Sequence, residues 1–84
     1  MRRNAMKYRI EMQPLASRYV VALKDPETGY LVKTFAVNAS AAEMIHLFRD
    51  GLDIEAIAQT LSDKYGVSID RVRVDAEALL GKLG

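Results

Sequence analysis

An α+β fold, a three-stranded antiparallel sheet followed by a three-helix bundle, is predicted by three observations. Residues 6–12 alternate apolar with polar and residues 19–23 suit a pleated surface, the period changes to that of a helix after Asn38, and turn-forming residues stand at the boundaries. The 84 residues suit a single domain over residues 1–84, with one core that buries roughly 60% of the unfolded chain's surface. Neither a small sheet nor a short bundle is stable alone at this size, so the two are expected to share that core. Residues 1–5 are expected to be a disordered tail, since Arg2 and Arg3 form a short basic cluster with nothing apolar to anchor it.

Each element has its own signature. Residues 6–12 (MKYRIEM) alternate as a strand with one buried face does, and residues 13–17 (QPLAS) break the pattern because Pro14 has no N–H for a ladder. Residues 19–23 (YVVAL) suit a pleated surface. Pro26 and Gly29 then supply turn chemistry, and residues 30–37 complete a hairpin over 19–37. Ser40 to Glu43 forms a capping-box pattern, with Asn38 the alternative cap, and Ala41, Ile45, Phe48 and Leu52 can line one face of a first helix ending at Gly51. Asp53 caps the second helix, whose apolar stripe is Ile54, Ile57, Ala58, Leu61 and Tyr65, and Gly66 is placed to end it in a left-handed turn. Ser68 caps the third, with Val72, Ala76, Leu79, Leu80 and Leu83 facing the core and Gly81 weakening its last turn by about 1 kcal/mol relative to alanine.

Composition narrows the function. With no cysteine, disulfides, thiolate chemistry and cysteine-bound zinc are all absent. His46 stands alone in the first helix, with no acid or hydroxyl at a triad spacing and no second histidine for a metal. Asp70, Asp75 and Glu77 could do acid-base work, but they alternate with Arg71 and Arg73 as a solvated charged helix face does. The glycines are scattered and form no phosphate-binding loop. The chain is therefore expected not to be an enzyme and to need no cofactor or metal. No apolar run reaches the ~20 residues of a membrane span and no signal core follows Met1, so a cytoplasmic location is the expectation.

Binding remains. The helix pair over residues 53–80 could belong to a DNA-binding regulator, with Arg71 and Arg73 early in a recognition helix. Against this, twelve basic residues are balanced by eleven acidic ones, and carboxylates on the same helix would face phosphate. The alternative uses the sheet. A three-stranded sheet has two edges, and an edge exposes unpaired N–H and C=O groups that accept another strand. If residues 30–37 form an edge beside the third helix, the two make a groove in which an extended peptide adds as a further strand. Backbone hydrogen bonds, each worth about 0.5–1.5 kcal/mol net, carry no sequence information. Specificity then falls to apolar wall residues, Leu31, Phe35, Val74 and Ala78, and to charges on Lys33, Arg71, Asp75 and Lys82. The competing reading makes Leu31, Phe35 and Val74 ordinary core. The same edge could instead pair two copies into a homodimer.

The ordered motifs resemble a known family. VNASAA (residues 37–42) looks like the start of the first helix in PqqD-like proteins, the pyrroloquinoline quinone biosynthesis protein D family. Asp50-Gly51, DIEAIA (53–58) and LSDKYGVS (61–68) are similar to its "DG…(S/T)xEEIAxxLxxxYGVD" core, and DAEALL (75–80) to its closing "DVxxFLxxL" helix. The resemblance implies a winged helix-turn-helix-like recognition element for ribosomally made, post-translationally modified peptides. Such an element binds the leader of a precursor peptide beside its third strand and against its third helix, and presents it to a modifying enzyme, often a radical S-adenosylmethionine (radical SAM) protein. Carried onto this chain, the peptide-binding residues are Leu31, Val32, Lys33, Thr34 and Phe35 on the strand and Arg71, Val74, Asp75 and Ala78 on the helix. Relatives serve several product classes, including lasso peptides, so the resemblance leaves the product open.

Overall fold

In the computed structural model, which describes residues 7–83, the elements run β1 (Arg9–Leu15), β2 (Arg18–Lys24), β3 (Leu31–Val37), α1 (Ala39–Arg49), α2 (Ile54–Tyr65) and α3 (Ile69–Leu83). The expected tail at residues 1–5 and the expected start of the first strand at Met6 lie outside the described residues. The sheet is antiparallel throughout in the order β1-β2-β3, so β2 is central and β1 and β3 are the two edges.

The first strand starts and ends later than its alternation suggested. Pro14 does not end it: β1 continues to Leu15, and only Ala16 and Ser17 form the turn. The reason lies in the pairing. A two-residue turn hydrogen-bonds its flanking pair, here Leu15 and Arg18, so the next residue, Pro14, directs its nitrogen away from β2 and removes no bond from the ladder.

One face of the sheet carries the core. Ile10 pairs with Leu23 and Met12 with Val21, while Val21 also faces Phe35 and Tyr19 faces Val37. Ile10, Val21, Leu23 and Val37 are buried. The three helices cover this face with Ala42, Met44, Ile45, Ile57, Ala58, Leu61, Val72, Ala76, Leu79 and Leu83. Among the described residues no polar or charged residue is buried, so the core is an apolar filling worth roughly 1.5–3 kcal/mol for each large side chain. The shortest molecular dimension is only 17 Å, which is one sheet and one helical layer.

Helix ends follow capping chemistry, with one change from the expected pattern. Asn38, not Ser40, caps α1: its Oδ1 accepts the Ala41 N–H at 2.9 Å, and the Ser40 hydroxyl donates to the same oxygen at 3.1 Å. Asp53 caps α2 through the Ala56 N–H at 2.9 Å. Gly66 closes α2 at φ 67°, its N–H bonded to the Ser62 carbonyl at 2.8 Å. The Ser68 carbonyl accepts the first bond of α3 from Val72, and its hydroxyl lies 3.5 Å from the Arg71 N–H, at the long limit for a cap. Gly81 does not loosen the last turn enough to end it, because Leu83 beyond it is buried.

Two stripe expectations change. On α1, Ile45 is buried and Ala41, Phe48 and Leu52 are half-buried against the core as expected, but Ala42 and Met44 on either side of that stripe are buried too, so the core face is wider than the one expected. Tyr65 was assigned to the core and is 52% exposed, because it occupies the last turn of α2, where its phenol turns to a polar partner on α1.

Candidate functional site

The two sheet edges differ. In the central strand, alternate residues bond to alternate neighbours, so Arg18, Val20, Ala22 and Lys24 face β1 while Tyr19, Val21 and Leu23 face Val37, Phe35 and Lys33. The N–H and C=O groups of Thr34 and Ala36 therefore point outward along the free edge of β3. On β1 the outward residues are Ile10, Met12 and Pro14, and Pro14 interrupts that row of donors. Near its start β3 also bulges: Lys24 pairs with Leu31 and Leu23 with Lys33, leaving Val32 as the extra residue.

A cleft runs between this edge, the start of α1 and one flank of α3. At one end a cavity of about 700 Å³ is lined by Ala39, Ser40 and Met44 from the first half of α1, Tyr65 at the end of α2, Val67 from the α2–α3 turn, and Arg71 and Asp75 on α3, with Leu61 and Val72 in its floor. A smaller cavity between Asn38, Met44, Asp75 and Leu79 continues it toward the sheet. At the other end Val32, Lys33, Gly81 and Lys82 meet Tyr8, Lys7 and Leu23 around about 390 Å³. Half-buried Phe35 lies between the ends, with the Lys82 ammonium 5.6 Å from its ring centre. Since Val32 and Lys33 meet the end of α3 while Asn38 meets its middle, β3 and α3 run antiparallel along the cleft.

Polar contacts hold the walls. The Glu43 carboxylate accepts hydrogen bonds from Lys64 at 2.5 Å and from the Tyr65 hydroxyl at 2.6 Å, fixing Tyr65 at the cleft's rim. Those bonds hold the Glu43 carboxyl below its ordinary range and push the Tyr65 phenol up. On the opposite flank of α3, Arg73 donates to Glu55 at 2.7 Å and to Asp70 at 2.6 Å, which lowers the Glu55 carboxyl and raises the guanidinium. Arg73 is thus tied to α2, and of the two arginines offered for a DNA-reading helix only Arg71 stands without a carboxylate partner among the described residues.

The expected site residues fall into three groups. Arg71 and Asp75 line the large cavity, Val32 and Lys33 the small one, and Phe35 lies between them. Leu31, Val74 and Ala78 are exposed and border none of these cavities. Leu31 and Val74 are 59% and 62% exposed, so the reading that makes them core does not hold. Thr34 places its side chain on the sheet face away from the helices and offers only its backbone to the edge. Ala39, Ser40, Met44, Tyr65 and Val67 were not identified from sequence. Met44 sits outside the expected stripe, Tyr65 reads as part of the core stripe of α2, and Ala39, Ser40 and Val67 carry only capping or turn signals. Among the described residues no cluster of three metal-binding side chains occurs, and no helix is long and apolar enough to cross a membrane.

An open sheet edge beside a helix-walled cleft, on a winged helix-turn-helix-like α+β domain, defines the class. The sequence profile of coenzyme PQQ synthesis protein D (PqqD) matches residues 20–84, and the chain belongs to the PqqD family. No curated protein sequence matches the chain. Among solved structures, TbiB1 in complex with the TbiA(beta) leader peptide superposes with a TM-score of 0.65, covering 93% of this chain and 87% of that one at 21% identity. This likeness establishes a shared fold.

Proposed function

We propose that this chain is a non-catalytic adaptor that binds the leader of a ribosomally synthesised precursor peptide by strand addition at β3 and presents it to a modifying enzyme in the cytoplasm. A radical SAM protein is the partner enzyme we favour, on the family resemblance. The observation that carries the reading is the difference between the edges: β3 offers the outward backbone of Thr34 and Ala36 beside the cleft, while Pro14 interrupts β1. Membership of the PqqD family and a shared fold with a leader-peptide complex support it. In an added strand, alternate side chains project to the helix side. There the cavity lined by Met44, Leu61 and Val72 takes an apolar anchor, and Phe35 and Leu79 contact its neighbours.

The test is an amide chemical-shift titration of the labelled chain with the leader segment of a precursor encoded beside its gene. Shifts are expected along residues 31–37 and 71–82. Changes confined to α2, or to β1, would overturn the groove. Pairing of β3 with a second copy would occupy the same edge, and sedimentation over a concentration range distinguishes the two, since the adaptor reading expects a monomer at every concentration.

A further inference from the structure

The described residues contain five lysines: Lys7, Lys24, Lys33, Lys64 and Lys82. Lys24 is paired with Glu11 at 3.1 Å and Lys64 with Glu43. The other three have no carboxylate partner among the described residues, and all three border one cavity, at the end of the cleft where β3 begins and α3 ends. Among the described residues no carboxylate lines it. Asp75 lies toward the opposite end, beside Arg71, and Glu77 lies on the far side of α3. Two of these lysines are also oriented, Lys82 over the Phe35 ring at 5.6 Å and Lys7 over Tyr8 at 5.7 Å. Three like charges around a single cavity repel one another, and their mutual repulsion is relieved when an anion enters.

Resting on the strand-addition reading, we infer that this lysine cavity is a carboxylate subsite, so that the cleft selects peptides with an acidic residue at one end and an apolar anchor at the other. The spacing follows from geometry. Lys82 and Arg71 are separated by eleven residues of α3, about 16 Å along the helix at roughly 1.5 Å per residue. A strand covers that distance in about five residues at roughly 3.3 Å each, and only alternate side chains face the helix. The acidic residue therefore stands four or six positions from the apolar anchor held beside Met44. The mixed pair Arg71 and Asp75 leaves the anchor end without net charge, so the charge selection sits at the lysine end.

The probe is a display library of random twelve-residue peptides, selected against the full chain and against two variants, Lys33→Gln/Lys82→Gln and Thr34→Pro. The double variant removes charge from exposed positions, and Thr34→Pro removes an edge donor that the sheet itself does not use. Peptides selected on the wild type are expected to carry Asp or Glu four or six residues from a large apolar residue. They should bind the double variant roughly tenfold more weakly in fluorescence anisotropy, with a flatter salt dependence, and should not bind Thr34→Pro. Peptides that lose binding to Thr34→Pro yet show no acidic excess and bind the double variant equally would overturn the carboxylate subsite and leave strand addition standing. Peptides that bind Thr34→Pro as well as the wild type, or no enrichment at all, would overturn both. Retention of duplex DNA that the two lysine changes abolish, without acidic peptides in the selection, would assign the lysines to nucleic acid and overturn the proposal.

Discussion

Ala16 holds φ at 57°, and it is the sole non-glycine residue with positive φ among those described. It occupies the first of the two turn positions between β1 and β2, a place where a Cβ is strained and glycine is at ease. Ala16→Gly is expected to stabilise the domain by about 1 kcal/mol, net of the entropy glycine adds to the unfolded chain, and thermal unfolding would read this as a rise of roughly 4–8 °C. Glu43 gives a second prediction with a sign. Its carboxyl is held below the ordinary value of 4.5 by hydrogen bonds from Lys64 and Tyr65. The stabilisation is therefore complete above that ordinary value and is lost as pH falls through the lowered one. Glu43→Gln should lower the melting temperature at pH 7, and the difference from wild type should close as pH is lowered below the carboxylate range. A constant difference at every pH would rule out the ionised carboxylate as the cause. Neither residue announced its role in sequence: Ala16 has no turn signature, and Glu43 and Tyr65 are 22 positions apart.

At the scale of elements, strand and helix periods were legible because each element has one buried face, and the apolar pattern records that face directly. Boundaries were less legible where they depended on pairing. Pro14 reads as a strand breaker until the register shows its nitrogen turned outward. Ser40 reads as a cap until Asn38 is seen to take the Ala41 N–H, leaving Glu43 free for Lys64 and Tyr65. The same logic makes β3 testable. Thr34→Pro should leave stability within about 1 kcal/mol of wild type, because Pro is tolerated where the N–H faces an open edge, while abolishing binding of an added strand. The comparison Phe35→Pro would remove a donor used by β2 and should unfold the sheet. Comparable stability losses for the two variants, read by urea denaturation, would show that the assigned edge is wrong.

For the whole molecule, a folded unit of this size carries a net stability of only several kcal/mol, at roughly 0.05–0.15 kcal/mol per residue. Ile45, Ile57 and Leu61 are almost fully buried where the helices meet the sheet. Ile45→Ala should cost about 2–5 kcal/mol, enough to leave much of the chain unfolded near 37 °C, and circular dichroism at that temperature would detect it. The three strands, the three helices, the apolar core and the absence of cysteine and of a nucleotide loop were all fixed by local pattern and composition, which depend on neighbours in the chain. The order and spacing of the motifs also carried the family. The cleft was decided by the tertiary structure. Its walls come from the start of α1, the α2–α3 turn, α3 and β3, and nothing local records how four separate segments meet. The fold also sorted the charges, tying Arg73 and Lys64 to carboxylates 18 and 21 residues away and leaving Lys7, Lys33 and Lys82 around one cavity without a carboxylate partner among the described residues. Pairing of side chains distant in sequence is a property of the packed chain, because Coulomb attraction at a surface acts over a few ångströms and only folding sets those distances.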